Sequence, residues 1–156
     1  MNTENLKSTL RTWETGRKLF LEFFDNYSLD QLNKVPDGFN NNLIWNIGHV
    51  IVAQQALIYL QSGLDGYLPS QLYKLYKPGT KPAKPVTQEE ANELKKLLID
   101  LVNKTTDDLD QGLFKTYKER MTGTGFYLSS LEDAFEFNNY HEGLHLGYMK
   151  SIEKFV

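Results

Sequence analysis

A chain of 156 residues with 40% apolar content can enclose one substantial core, and residues 1–156 are expected to form a single helical domain. The net charge is only −3 and no basic stripe is present, which argues against a nucleic-acid partner. With no cysteine, disulfides, thiolate metal sites, iron–sulfur clusters and a protein thiol nucleophile are excluded.

The stretch from Met1 to Trp13 is polar and charged and lacks an apolar signal core, so the expected location is the cytoplasm. The first helix is predicted from about Thr3 to Asp25. Its inner stripe is Leu6, Leu10, Trp13, Phe20 and Phe24, widened by Leu19 and Phe23. Gly16 within it costs about 1 kcal/mol of helix propensity, which a close helix contact at that point would justify. Ser28 and Gln31 form a capping box for a short turn of helix ending near Val35-Pro36. Asp37-Gly38 marks a turn, and Asn40, Asn41 and Asn42 offer N-caps for the next helix.

That second long helix is predicted from about Asn42 to Ser62, with Gly63 as its stop. It is apolar on nearly every side, from Leu43, Ile44 and Trp45 through to Leu60. Asn46, His49, Gln54 and Gln55 interrupt it, and polar groups within a membrane span are costly. A central core helix is expected, with no membrane partner.

The segment after Gly63 is irregular apart from a possible short helix over Pro69 to Tyr76, because Pro78, Pro82 and Pro85 break any regular element beyond it. Lys74, Lys77, Lys81 and Lys84 read as a solvated loop, with an anion contact as the alternative. Tyr67, Tyr73 and Tyr76 suit a pocket mouth and surface packing equally. Thr87 and Glu90 make another capping box, opening a helix to about Leu109 with Leu94, Leu97, Leu98, Leu101, Val102 and Leu109 inward. Asp107, Asp108 and Asp110 oppose the helix dipole there and predict fraying. Gln111 to Phe126 is either a loop over one end of the molecule or a short extended element.

The last helix is expected to open with Ser129 and Glu132 as a capping box, with Asp133 adding charge the dipole favours. Leu131, Ala134, Asn138, His141, His145, Tyr148, Ile152 and Phe155 then recur at steps of three and four, the seam of a helix laid against partners. The sum is an all-α chain of four long helices joined by links of unequal length. Long links permit parallel neighbours.

His141 and His145 stand one turn apart on that seam, with Cβ atoms roughly 5–6 Å apart. The remaining histidine, His49, lies in line with Trp45, Val52, Ala56 and Tyr59. All three imidazoles therefore point toward a core. A single inward histidine is more simply a core residue satisfied by one hydrogen bond. Three are harder to satisfy that way, since each unpaired buried polar group costs about 1–3 kcal/mol. A divalent metal held by His49, His141 and His145 removes the difficulty. Asn46 and Asn138, each three residues before a histidine, are candidates to accept the second ring N–H of His49 and of His141. Bonding to each other or to backbone is the alternative reading for both.

Trp-Asn-Ile-Gly-His (Trp45 to His49), behind an Asn-rich helix entry, and His-Glu-Gly-Leu-His-Leu-Gly (His141 to Gly147) in the final helix resemble the DinB-like, damage-inducible metalloprotein family. The resemblance spans essentially the whole chain. It implies a four-helix bundle, often a homodimer, holding a divalent metal, commonly zinc or nickel, on three histidines. Residue by residue, His49 matches the ligand on the second helix, and His141 and His145 match the pair on the last. Better-understood relatives are thiol-dependent transferases using bacillithiol or mycothiol, together with a mycothiol-dependent isomerase.

The runner-up is a zincin-type hydrolase, because His141 to His145 reads H-E-x-x-H, a pattern in which the Glu activates water. Zincins need a third ligand downstream, and Glu153, the sole carboxylate there, is two turns further along the helix. Glu142 is also rotated by about 100° from His141, and is expected to make a surface or dimer contact, with an outer role toward the metal as the alternative. A third class is a non-catalytic metal-stabilised stress or interaction protein. Three neutral histidines leave a cation its full charge and an open position, as in catalytic zinc sites. The expected reaction is thus transfer of a low-molecular-weight thiol, as cosubstrate, to an electrophilic small molecule. Tyr148, one turn after His145, is the candidate group near the open position.

Overall fold

The computed structural model describes residues 3–156; Met1 and Asn2, the start of the polar N-terminal stretch, lie outside them. The described chain is mostly helical: α1 (Thr3–Asn26), α2 (Leu29–Asn33), α3 (Leu43–Ile58), α4 (Ser70–Tyr76), α5 (Gln88–Asp110) and α6 (Leu131–Ile152). A hairpin of β1 (Arg120–Met121) and β2 (Tyr127–Leu128) is antiparallel, with Arg120 opposite Leu128. The link from Gln111 to Phe126 therefore takes the extended alternative, and Gly125 turns it with φ +90°.

Local signals place most helix starts. Ser28 and Gln31 form their reciprocal capping box, as do Thr87 and Glu90. Asn42 caps α3 by accepting from the Trp45 N–H at 2.8 Å. The start of α6 differs from expectation by one residue. Ser130 is the cap, accepting from the Asp133 N–H, while the Asp133 carboxylate reaches back to the N–H and hydroxyl of Ser129. Glu132 is not part of a box. At the other end of α3, a 3-10 turn (Leu60–Ser62) tightens the chain into Gly63, whose φ of +73° is the left-handed stop its sequence position suggested.

The long helices enclose one another: α1 packs on α5 and α6, and α3 packs on the same two. Segment Leu43–Ser62 is long and apolar enough to cross a membrane, but 89% of its apolar window is buried inside the molecule. It is the core helix. Two apolar clusters flank it, one around Phe20, Phe23, Ile47, Val50, Leu98 and Met149, the other around Leu10, Trp13, Ile58, Val102, Leu109 and Phe135.

Several packing expectations are corrected. Leu19 is exposed and Phe24 only half-buried against the core, while Phe20 and Phe23 are buried on the expected inner side of α1. A Cβ added at Gly16 would meet nothing within 4 Å, so no close helix contact explains that glycine. The aspartates at the end of α5 do not fray it. The helix runs to Asp110, because the Asp108 carboxylate accepts from the hydroxyls of Tyr59 and Tyr67, both at 2.7 Å, and is thereby fixed in the interior.

Candidate metal centre

The inner side of α3 and α6 brings the three histidines together. Their ligand atoms lie within 4.8 Å of one another, and the Nε2 atoms of His49 and His141 are 3.3 Å apart. Two nitrogens bound tetrahedrally to one ion at 2.0–2.1 Å are separated by about 3.3–3.4 Å. The observed spacing fits a shared divalent cation; in the absence of an ion it is equally the length of an N–H···N hydrogen bond from His141 to the His49 Nε2 lone pair.

Each tautomer can be argued from its neighbours. His49 Nδ1–H donates to the Tyr76 carbonyl at 2.6 Å. A carbonyl only accepts, so the proton is on Nδ1 and the Nε2 lone pair faces the cluster. That carbonyl ends α4, where the last helical C=O groups lack partners within the helix. Its approach depends on Gly48: a Cβ there would lie 2.5 Å from the Tyr76 ring. The glycine of Trp-Asn-Ile-Gly-His thus lets Tyr76 settle on α3 beside the histidine. Trp45 stacks on the His49 ring at 4.9 Å and 10°, and its indole N–H donates to Thr80, fixing the ring plane.

Asn46 serves a different histidine from the one its spacing suggested. Its Nδ2 donates to the Asn41 side chain and the Asn42 carbonyl, which orients the amide. Its Oδ1 then accepts from His145 Nδ1–H at 2.7 Å. Because α6 crosses close to α3, the acceptor on one helix meets the imidazole of the other. His145 is left with its Nε2 lone pair free. Asn138 donates its Nδ2 to Glu142 at 2.8 Å, and neither its Oδ1 nor His141 Nδ1 has a hydrogen-bond partner.

Burial holds the three rings neutral. It lowers the pKa of His49 and takes His141 down to about 4, helped by the charges of His49 and Arg17. Burial, with His141 and His49 beside it, takes His145 to about 3. Neutral imidazole is the form that ligates metal.

One flank is open. A cleft of about 410 Å³ is lined by Asn41, Asn46, Leu144, His145 and Tyr148, so Tyr148 shares a wall with a histidine. Tyr148 is also packed edge-on to Phe39. On the far side of Trp45, a slot of about 40 Å³ is lined by Tyr76, Lys81 and Pro82, with room for about one water. Lys84 pairs with Glu90 at 3.5 Å. Tyr67 and Tyr73 pack against the molecule and do not line the histidine cleft; Tyr76 reaches the centre through its backbone.

The expected surface role of Glu142 is overturned. Its side chain is buried, and its carboxylate accepts from Arg17 Nε and Nη2, both at 2.7 Å, from Trp13 Nε1 at 2.5 Å and from Asn138. Arg17, fully buried, also donates to the carbonyls of Leu98 and Val50. Both oxygens of Glu142 are taken, so it has no free basic site to activate water. A signal for this pair was available. Arg17 continues the stripe Leu6, Leu10, Trp13, Phe20, and Glu142 continues a second one through Phe135, Asn138, His145, Met149 and Ile152. Opposite charges on two inward seams indicate a buried ion pair.

The DinB superfamily profile matches residues 12–149. The chain belongs to the DinB superfamily. A solved structure of a conserved protein from Enterococcus faecalis superposes with a TM-score of 0.59 at 15% identity, covering 95% of this DinB-superfamily chain and 94% of that one, which supports the fold alone. Comparison with curated proteins gives no match. For this superfamily member, the histidine cluster could hold a metal ion.

Proposed function

We propose that this protein is a metal-dependent thiol S-transferase, with His49, His141 and His145 holding one divalent ion, zinc or nickel, and a small electrophile as acceptor. The observation that carries the reading is the convergence of three neutral imidazoles beside an open cleft. A cation there supplies Lewis acidity and lowers the pKa of a bound thiol. The chain has no cysteine, so the sulfur nucleophile comes from a low-molecular-weight cosubstrate. Its thiolate forms the new S–C bond, and the electrophile either loses a leaving group or takes a proton after addition. Tyr76 and Asn46 hold His49 and His145 in the ligating tautomer, Trp45 excludes water from one ring face, and Asn41, Leu144 and Tyr148 offer the surface on which the electrophile sits. The same reading takes the long helices as a four-helix bundle, the chain as one domain, a homodimer as its assembly and the cytoplasm as its place of work.

The hydrolase alternative loses support because Glu142 is consumed by Arg17, Trp13 and Asn138. The test is thiol consumption with a panel of small thiols and 1-chloro-2,4-dinitrobenzene, comparing zinc- or nickel-loaded protein with chelated protein. Metal-dependent turnover with at least one thiol is expected. Metal binding without turnover across the panel would instead favour the non-catalytic stress or interaction protein.

A further inference from the structure

Four buried side-chain atoms among the described residues lack a hydrogen-bond partner, and two of them, Asn138 Oδ1 and His141 Nδ1, lie three residues apart on α6. Residues at that spacing share a helix face, with Cβ atoms about 5–6 Å apart. Their chemistry is complementary. Asn138 must turn its Nδ2 toward the Glu142 carboxylate, which can only accept, so Oδ1 is an acceptor and nothing else. His141 presents Nε2 to the cluster. A neutral imidazole that ligates through Nε2 carries its proton on Nδ1 and needs an acceptor for it. The corresponding acceptors for His49 and His145 are the Tyr76 carbonyl and Asn46. His141 is the ring without one.

We propose that Arg17, Glu142 and Asn138 form a buried positioning chain for His141, in which Asn138 Oδ1 receives the His141 Nδ1–H, directly or through one water, in the metal-loaded protein. This rests on the reading of the histidines as a metal centre. The chain starts where the fold is best anchored. Arg17 on α1 bonds the Leu98 carbonyl of α5, the Val50 carbonyl of α3 and the Glu142 carboxylate of α6, so one guanidinium is tied to every other long helix. It fixes the carboxylate, the carboxylate fixes which way the Asn138 amide faces, and the amide fixes which nitrogen of His141 is protonated. The Glu of His-Glu-Gly-Leu-His thereby acts through the ligand beside it, and none of the three touches the reacting atoms. They are positioning residues.

The experiment is metal affinity by chelator competition on the full chain with zinc, at a temperature where each variant is folded, together with nitrogen NMR of the histidine rings in the zinc-loaded wild type. Asn138→Ala is expected to weaken zinc binding about 10–100-fold, the usual effect of removing an outer partner of a ligating histidine. Asn138→Leu, which keeps the volume, is expected to do the same and covers a failure of the alanine variant to fold. The wild-type spectrum is expected to show His141 coordinated through Nε2 with a hydrogen-bonded Nδ1–H. A merely structural Asn138 would lower the melting temperature and leave affinity and tautomer unchanged. Wild-type affinity in a folded variant, or coordination of His141 through Nδ1, overturns the positioning chain while the metal centre stands. A wild type that binds no zinc or nickel overturns both.

Discussion

The core helix α3 carries two buried polar clusters, and they differ in completeness. Around Tyr59, Asp108 accepts two tyrosine hydroxyls, Thr105 accepts from Gln54 and donates to the Leu101 carbonyl, Gln54 accepts from Gln55, and Gln55 accepts from the Tyr67 N–H. Each of these side-chain oxygens and nitrogens has a partner, and the cluster binds the Tyr67 backbone and α5 to α3, although the Tyr73 hydroxyl beside Gln55 has none. Ten residues earlier, about 15 Å along the axis, the histidine cluster ends in facing Nε2 atoms and the unpartnered pair Asn138 Oδ1 and His141 Nδ1. A closed polar network is architecture. One whose lone pairs converge on a common point is a donor set for a guest.

That contrast can be broken most forcefully at Arg17. Arg17→Met leaves the Glu142 carboxylate buried and unpaired, and a loss of about 3–5 kcal/mol in urea-unfolding stability is expected. Adding Glu142→Leu to it should restore much of that loss, because the cost lies in the uncompensated charge; no recovery would show that the pair contributes through something other than electrostatics.

Next comes the response of the metal-free protein to acid. In the unfolded chain histidines take up protons below about pH 6.5, whereas in the folded chain His141 holds off to about pH 4 and His145 to about pH 3. The unfolded state therefore binds more protons across that window. Stability from these rings is full above pH 6.5 and drains away as pH falls toward 3. Urea midpoints of chelated protein at pH 7.5, 6 and 5 should fall in that order, and His141→Phe should flatten the slope. An unchanged slope would mean the ring is not held neutral by burial.

Gly48→Ala should cost about 1–3 kcal/mol through overpacking against Tyr76, and it should also loosen metal binding, because the Tyr76 carbonyl moves with its ring. A destabilised variant with wild-type metal affinity would detach Tyr76 from the centre. The smallest effect belongs to the closed cluster: Tyr67→Phe removes one of two hydroxyl donors to Asp108, for about 0.5–1.5 kcal/mol, with no change in metal affinity.

What could be read from the chain divides along the same line as the two clusters. Capping boxes at Ser28 and Thr87, the core helix from Leu43 and the inward histidines depend on neighbours within a turn or two, and all were legible. So was the convergence of His49 with His141 and His145, since two apolar helices each carried imidazole inward. The partners of those rings were not. His49 bonds a backbone carbonyl from α4, and which histidine Asn46 serves depends on how α3 crosses α6, which no spacing within one helix encodes. Asp108 looked like a helix-end liability because its tyrosines lie 41 and 49 residues away. Glu142 was judged by its angle from His141 alone, without Arg17, its oppositely charged counterpart on another inward seam.

The most direct test is the metal content of purified protein by elemental analysis, for the wild type and for His49→Ala, after loading with zinc or nickel and removal of excess ion. One divalent ion per wild-type chain, and less than a tenth of that in His49→Ala with helical content retained, is the predicted result. Equal metal in both proteins, or none in the wild type, would mean that the three imidazoles do not share an ion.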